Sequence, residues 1–249
     1  MTRTFTPDEL ARQGKARLRA MANPIRAAGA RKYFKETVEF YGVASPEVRS
    51  IAADLYATIR TEWTADDAIR YCEIMFREPE LEAKGLGALV MIRYKKVLPK
   101  SLFERIKKWL AADLLNNWAS VDVFCPEAVG SLLVRFPELV ERIKTWAGHS
   151  NRWVRRASIV SFLKLAKDEA YRETIYGIAR AHFGTEDDLI RKAAGWLLRE
   201  VGKKDMARLE RFLLENGPAI PRTTLRYAIE RFEPKKRAKL LRETRGVGS

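Results

Sequence analysis

Trp118 and Asp122 stand four residues apart in the run Trp118-Ala119-Ser120-Val121-Asp122, with little else acidic nearby. On a helix that spacing places the aromatic face and the carboxylate on one side. The chain around them carries 47 Lys and Arg against 32 Asp and Glu, a net charge of +15. A lone carboxylate in such a positive field suits chemistry on a polyanion, and an aromatic, a carboxylate and many cations together point to nucleic acid. Read without that field, Asp122 is a helix cap or an ion-pair partner and Trp118 is a core residue.

The positive charge is segregated. Leu10 to Lys35 holds eight Lys or Arg and no acid, Thr145 to Lys167 holds five and no acid, and Leu89 to Trp109 holds seven against Glu104. Helices with mixed signs gain weak i,i+4 pairs, whereas segregated ones attract phosphate. In Asn151-Arg152-Trp153-Val154-Arg155-Arg156 the asparagine caps a helix whose start carries three arginines. The macrodipole disfavours cations there by ~0.3 to 1 kcal/mol each, so an external anion is expected, with carboxylates on neighbouring helices as the other reading. Lys192, Trp196 and Arg199 follow at i, i+4 and i+7 and form one helical stripe. Within it Gly195 costs up to ~1 kcal/mol relative to alanine, which suits a close approach to a partner or simply to another helix. By itself Trp196 reads as core rather than site.

The elements that position these residues are helices. Start signals recur at Thr6-Pro7-Asp8-Glu9, Asn23-Pro24, Ser45-Pro46-Glu47, Thr64-Ala65-Asp66-Asp67, Ser101-Leu102-Phe103-Glu104, Phe136-Pro137-Glu138, Asn151, Thr185-Glu186-Asp187-Asp188, Ile220-Pro221 and Glu233-Pro234. They imply roughly a dozen helices joined by short turns, with no competing strand signal. Apolar positions from Ile69 to Phe76 and from Leu86 to Ile92 are separated by a Glu-Pro break, the pattern of an antiparallel helix pair. Pairs recur at roughly 35 to 45 residues, within the range of HEAT or armadillo repeats. The expected fold is all-α, a single domain over 1–249 built as an α-solenoid of HEAT-like helical repeats with a basic concave face. A globular helical bundle is the alternative.

Composition narrows the class further. With 47% hydrophobic residues the chain has ample core. Cys72 and Cys125 are too few for a disulfide framework, and with only His149 and His182 beside them no thiol or imidazole metal cluster is expected. No signal-peptide core and no run near the ~20 apolar residues of a membrane span are found, so a soluble, cytoplasmic, nucleoid-associated protein with no membrane partner is expected.

With Trp-Ala-Ser-Val-Asp at 118–122, Arg-Trp-Val-Arg-Arg-Ala at 152–157 and Ala-Gly-Trp-Leu-Leu-Arg-Glu at 194–200, the chain resembles the AlkD family of DNA alkylation-repair glycosylases. The resemblance runs from about Tyr33, through Tyr41-Gly42-Val43 and Ser45-Pro46-Glu47, to at least Glu200. It implies a superhelix of HEAT-like repeats and hydrolysis of the N-glycosidic bond of cationic N3- or N7-alkylated purines in double-stranded DNA. Trp118, Asp122 and Trp196 match the family's catalytic positions. Arg156, Lys164 and Arg199 match its DNA-contacting positions, and Tyr33 matches an amino-terminal aromatic near the DNA. Arg152 and Lys192, taken from the charge pattern, are expected to bind DNA as well. Ala44 departs from the pattern of a family member that carries there a glutamine able to touch DNA. The segments before Ala22 and after Arg231 align poorly.

The implied chemistry fits the residue types. A cationic purine leaves as a neutral base without a general acid, so one carboxylate suffices. Asp122 would stabilise the oxocarbenium-like sugar and orient water, while the faces of Trp118 and Trp196 attract the cation. No catalytic lysine stands out, which favours a monofunctional hydrolase. A concave monomer would be enough for this work, and no cofactor or metal is expected. A non-catalytic HEAT-like DNA- or RNA-binding scaffold is the other reading.

Overall fold

In the computed structural model of the protein, residues 5–245 are described, and among them the secondary structure is helical throughout, with no strand. A lone bridge joins Glu39 and Glu80. The all-α helical repeat architecture expected from the spacing of start signals is present. The chain divides into two compact units, Met1–Leu132 and Leu133–Ser249.

The first unit contains α1 (Pro7–Ala20), α2 (Pro24–Arg31), α3 (Ser45–Ile59), α4 (Ala65–Phe76), α5 (Leu81–Ile92), α6 (Leu102–Ala111) and the beginning of α7 (Trp118–Arg135). Thr6 and Thr64, both expected as helix starts, each accept the N–H of the third helical residue, and Glu9 and Asp67 reach back to the cap N–H, so a capping box forms at each. At α3 the cap moves one residue earlier than Ser45. Ala44 occupies the position, and Glu47 Oε2 accepts its N–H at 2.7 Å. Packing centres on α5, which meets α1, α3 and α4. That position explains why α5 buries residues around most of its circumference, including Leu86, Ala88, Val90 and Met91.

The second unit contains α8 (Leu139–Lys144), α9 (Arg152–Val160), α10 (Arg172–Ala181), α11 (Asp188–Gly202), α12 (Met206–Asn216), α13 (Arg222–Ala228) and α14 (Pro234–Glu243), linked in part by short 3-10 turns. Here α11 is central and packs on α9, α10, α12 and α13. Its cap is Asp187, whose carboxylate accepts the Leu189 N–H at 3.0 Å, and not Thr185, which accepts the Asp187 N–H instead. A carboxylate at a helix start gains from the macrodipole where a hydroxyl does not. A Cβ at Gly195 would stand 2.5 Å from both the Thr224 carbonyl oxygen and Tyr227 Cβ. The close partner foreseen for this glycine is therefore α13.

Candidate active site and nucleic-acid interface

Asn117 sets the start of α7. Its Oδ1 accepts the Ser120 N–H at 2.9 Å, its backbone carbonyl accepts from Ser120 Oγ at 3.0 Å, and its side chain is fully buried. Trp118 is consequently the first residue of the helix, and Asp122 follows one turn later on the same face. Both are half-buried, so each keeps access to solvent. Phe34 lies under the indole with ring centroids 5.0 Å apart, and Phe40 packs on Phe34 at 5.5 Å. Pro126 stands four residues beyond Asp122 and supplies no N–H to the Asp122 carbonyl, a local weakening of the ladder next to the candidate carboxylate.

The segment leading to α3 is held by a buried carboxylate. Glu82 on α5 accepts the N–H groups of Tyr41, Gly42 and Val43 at 3.1, 2.8 and 3.1 Å. Consecutive amides converging on an anion form a nest. Gly42 makes it possible, because its φ of +80° is left-handed and a Cβ there would lie 2.1 Å from the Asn23 carbonyl oxygen. Nearby, the Lys84 ammonium donates to the carbonyls of Phe76 at 2.7 Å and Leu114 at 2.8 Å. Burial lowers its pKa to about 8, against the opposing pull of Glu78 and Glu80. Tyr33, one residue before Phe34, is 81% exposed.

In the second unit Lys192, Trp196 and Arg199 form the expected stripe, on the side of α11 opposite Ile190, Ala194, Leu197 and Val201, which are buried. All three stripe residues are half-buried. Lys192 pairs with Asp188 at 2.8 Å, which raises its pKa. Arg199 pairs with Glu230 and approaches Glu200 at 3.6 Å. At the start of α9, Asn151 caps as expected by accepting from Trp153 and Val154. The carboxylate that meets the neighbouring arginines is internal: Arg152 lies 2.8 Å and Arg155 3.8 Å from Asp187 Oδ2. Arg156 is only 5% exposed and donates to the Leu189 carbonyl. Lys164 is exposed at the end of a 3-10 turn.

Within the first unit the arrangement offers an aromatic face backed by a second ring, beside a carboxylate. Such a pair can hold a cation and stabilise positive charge developing next to it. Sequence reasoning did not single out Phe34, Phe40, Asn117, Glu82 or Pro126. Asn117 had a local signal, an Asx residue immediately before an apolar helix. Phe34 and Glu82 act across 84 and 41 residues of chain, and no local pattern announces such pairings.

Comparison with known proteins adds the family. Residues 15–232 match the family model of the DNA alkylation repair enzymes. Among solved structures, a predicted DNA alkylation repair enzyme from Enterococcus faecalis superimposes with a TM-score of 0.75 at 21% identity, over 86% of this chain and 98% of that one. At that identity the likeness speaks for the fold. No curated protein matches the sequence.

Proposed function

The chain belongs to the DNA alkylation repair enzyme family, and from that premise we propose that it is a monofunctional glycosylase hydrolysing the N-glycosidic bond of cationic N3- and N7-alkylated purines in duplex DNA. The observation that carries this reading is the Trp118–Asp122 face on the first turns of α7, solvent-accessible and backed by Phe34. The cationic base lies against Trp118, whose quadrupole attracts it. As the bond from C1′ to the base nitrogen breaks, the electron pair goes to the base, which departs neutral, and positive charge passes to the sugar. Asp122 stabilises that charge and orients the water that adds to C1′, the surplus proton of that water passing to solvent. Trp196 is assigned to the DNA as a further aromatic contact, together with Tyr33, Arg152, Arg156, Lys164, Lys192 and Arg199.

The deciding experiment is release of free base from duplex DNA containing N7-methylguanine or N3-methyladenine, against unmodified duplex. Release from the alkylated duplex alone is expected. Tight duplex binding with no release from either would instead mean a non-catalytic scaffold.

A further inference from the structure

Beside the Trp118–Asp122 face, the first unit contains a cavity of about 380 Å³ that the proposed reaction does not use. Its size falls in the range of small-molecule sites. Phe40, Val48 of α3, Leu89 of α5, and Ala119 and Val123 of α7 make its walls mostly apolar. On α5 a Cβ at Gly85 would meet no heavy atom within 4 Å, so bare backbone and open space form part of one wall. Phe40 links the cavity to the candidate site, because it packs on Phe34, which is stacked on Trp118.

The charges around the cavity decide what it can hold. Arg26, Arg49 and Lys84 line it against one carboxylate, Glu82. The Glu82 oxygens are taken by the amides of residues 41–43, and the Lys84 ammonium by two carbonyls. Arg26 is occupied by the Gly42 carbonyl and Glu47, while Arg49 is exposed at the mouth. A cation entering this space meets net repulsion and finds no available carboxylate. An uncharged flat ring meets apolar walls on its faces, and a phosphate attached to it would meet Arg49 at the rim.

We propose that this cavity is a second base-binding site, selective for an uncharged nucleobase, adjoining the face that holds the cationic one. The proposal rests on the reading of the protein as acting on alkylated DNA only in taking the guest to be a base. Two sources supply one. The purine released by hydrolysis is neutral, because the bonding electrons have cancelled its charge, and an unpaired base on the undamaged strand is neutral throughout.

The test uses the full chain and 19F NMR with 2-fluoroadenine, an uncharged purine, in two arms. One presents the free base, and the other presents it within a duplex opposite a tetrahydrofuran abasic-site analogue that cannot be cleaved. A bound resonance in the first arm identifies a product site, and in the second a site for the unpaired base. In either case Gly85→Leu, which fills the cavity, and Val123→Phe, which narrows it, should weaken the bound signal at least about ten-fold. Thermal melts confirm that both variants are folded. The cationic 1-methyladenosine should compete at least about ten-fold more weakly than adenine. No bound resonance in either arm, a resonance that survives both variants, or equal competition by the cation overturns the proposal. Base release from N7-methylguanine duplex, measured on the same preparation, separates the two readings. Release without a bound resonance sinks only the second site, and a bound resonance without release sinks only the glycosylase.

Discussion

Phe34 and Trp118 lie nearly parallel, their planes 11° apart, so one face of the indole is covered by the protein while the half-buried side chain keeps access to solvent. An aromatic pair of this kind contributes ~0.5 to 1.5 kcal/mol beyond area burial. Phe34→Leu keeps apolar bulk but removes the ring, and excision of alkylated purine should fall about two- to ten-fold, with Trp118→Ala costing more. Single-turnover excision normalised to folded protein is the measure. Unchanged rates in Phe34→Leu would mean that the ring does not set the indole.

Asp122→Asn keeps the shape while removing the charge and exchanging one acceptor oxygen for a donor amide. Folding and duplex binding should persist while base release drops at least ~100-fold, the scale of a lost transition-state contact. Near-normal excision by the folded variant would remove Asp122 from the mechanism.

The helical class, the helix starts at Thr6 and Thr64 and the shared face of Trp118 and Asp122 were legible because each is fixed by residues within a turn of one another. The stripe of Lys192, Trp196 and Arg199 was legible for the same reason. What the chain concealed lies in contacts between elements distant in sequence. That Arg152 and Arg155 meet Asp187, that Glu82 holds the amides of residues 41–43, and that Gly195 faces α13 all depend on which helices become neighbours. Spacing along one helix carries none of that information.

Lys164 and Arg156 should separate by readout. Lys164→Ala should make the slope of log affinity against log salt shallower by about one unit. Arg156 is buried on the Leu189 carbonyl, so Arg156→Ala should also destabilise the fold, by ~1 to 3 kcal/mol. A salt slope unaltered by Lys164→Ala would place that side chain off the DNA, and an unchanged melting temperature in Arg156→Ala would deny its structural role.

His182 gives the fold an acid sensitivity. Burial first, and the charge of Arg155 second, lower its pKa to about 4 from an ordinary 6.5. Ser158 Oγ donates to the Arg155 carbonyl and lies 3.0 Å from His182 Nε2, so the neutral ring donates to the hydroxyl. Between those two pKa values the unfolded chain binds a proton that the folded one refuses. Stability therefore falls as pH drops through that window, by about 3 kcal/mol in all, and this contribution changes no further below it. Urea denaturation across the window should show this loss, and His182→Gln should remove that part of it. An identical pH dependence in the variant would assign the acid sensitivity to other groups.

The pairing of Arg152 and Arg155 with Asp187, of Lys192 with Asp188 and of Arg199 with Glu230 gives these cations counterions that are part of the chain. The salt dependence of DNA binding reflects small ions set free into solution. A phosphate that takes one of these cations displaces a tethered carboxylate, which cannot diffuse away and stays close by as a competitor. Each such exchange adds little to the salt slope, and the returning carboxylate offers the phosphate a route off. On the proposed reading, a surface wired in this way would hold a duplex less tightly than the chain's net charge of +15 implies.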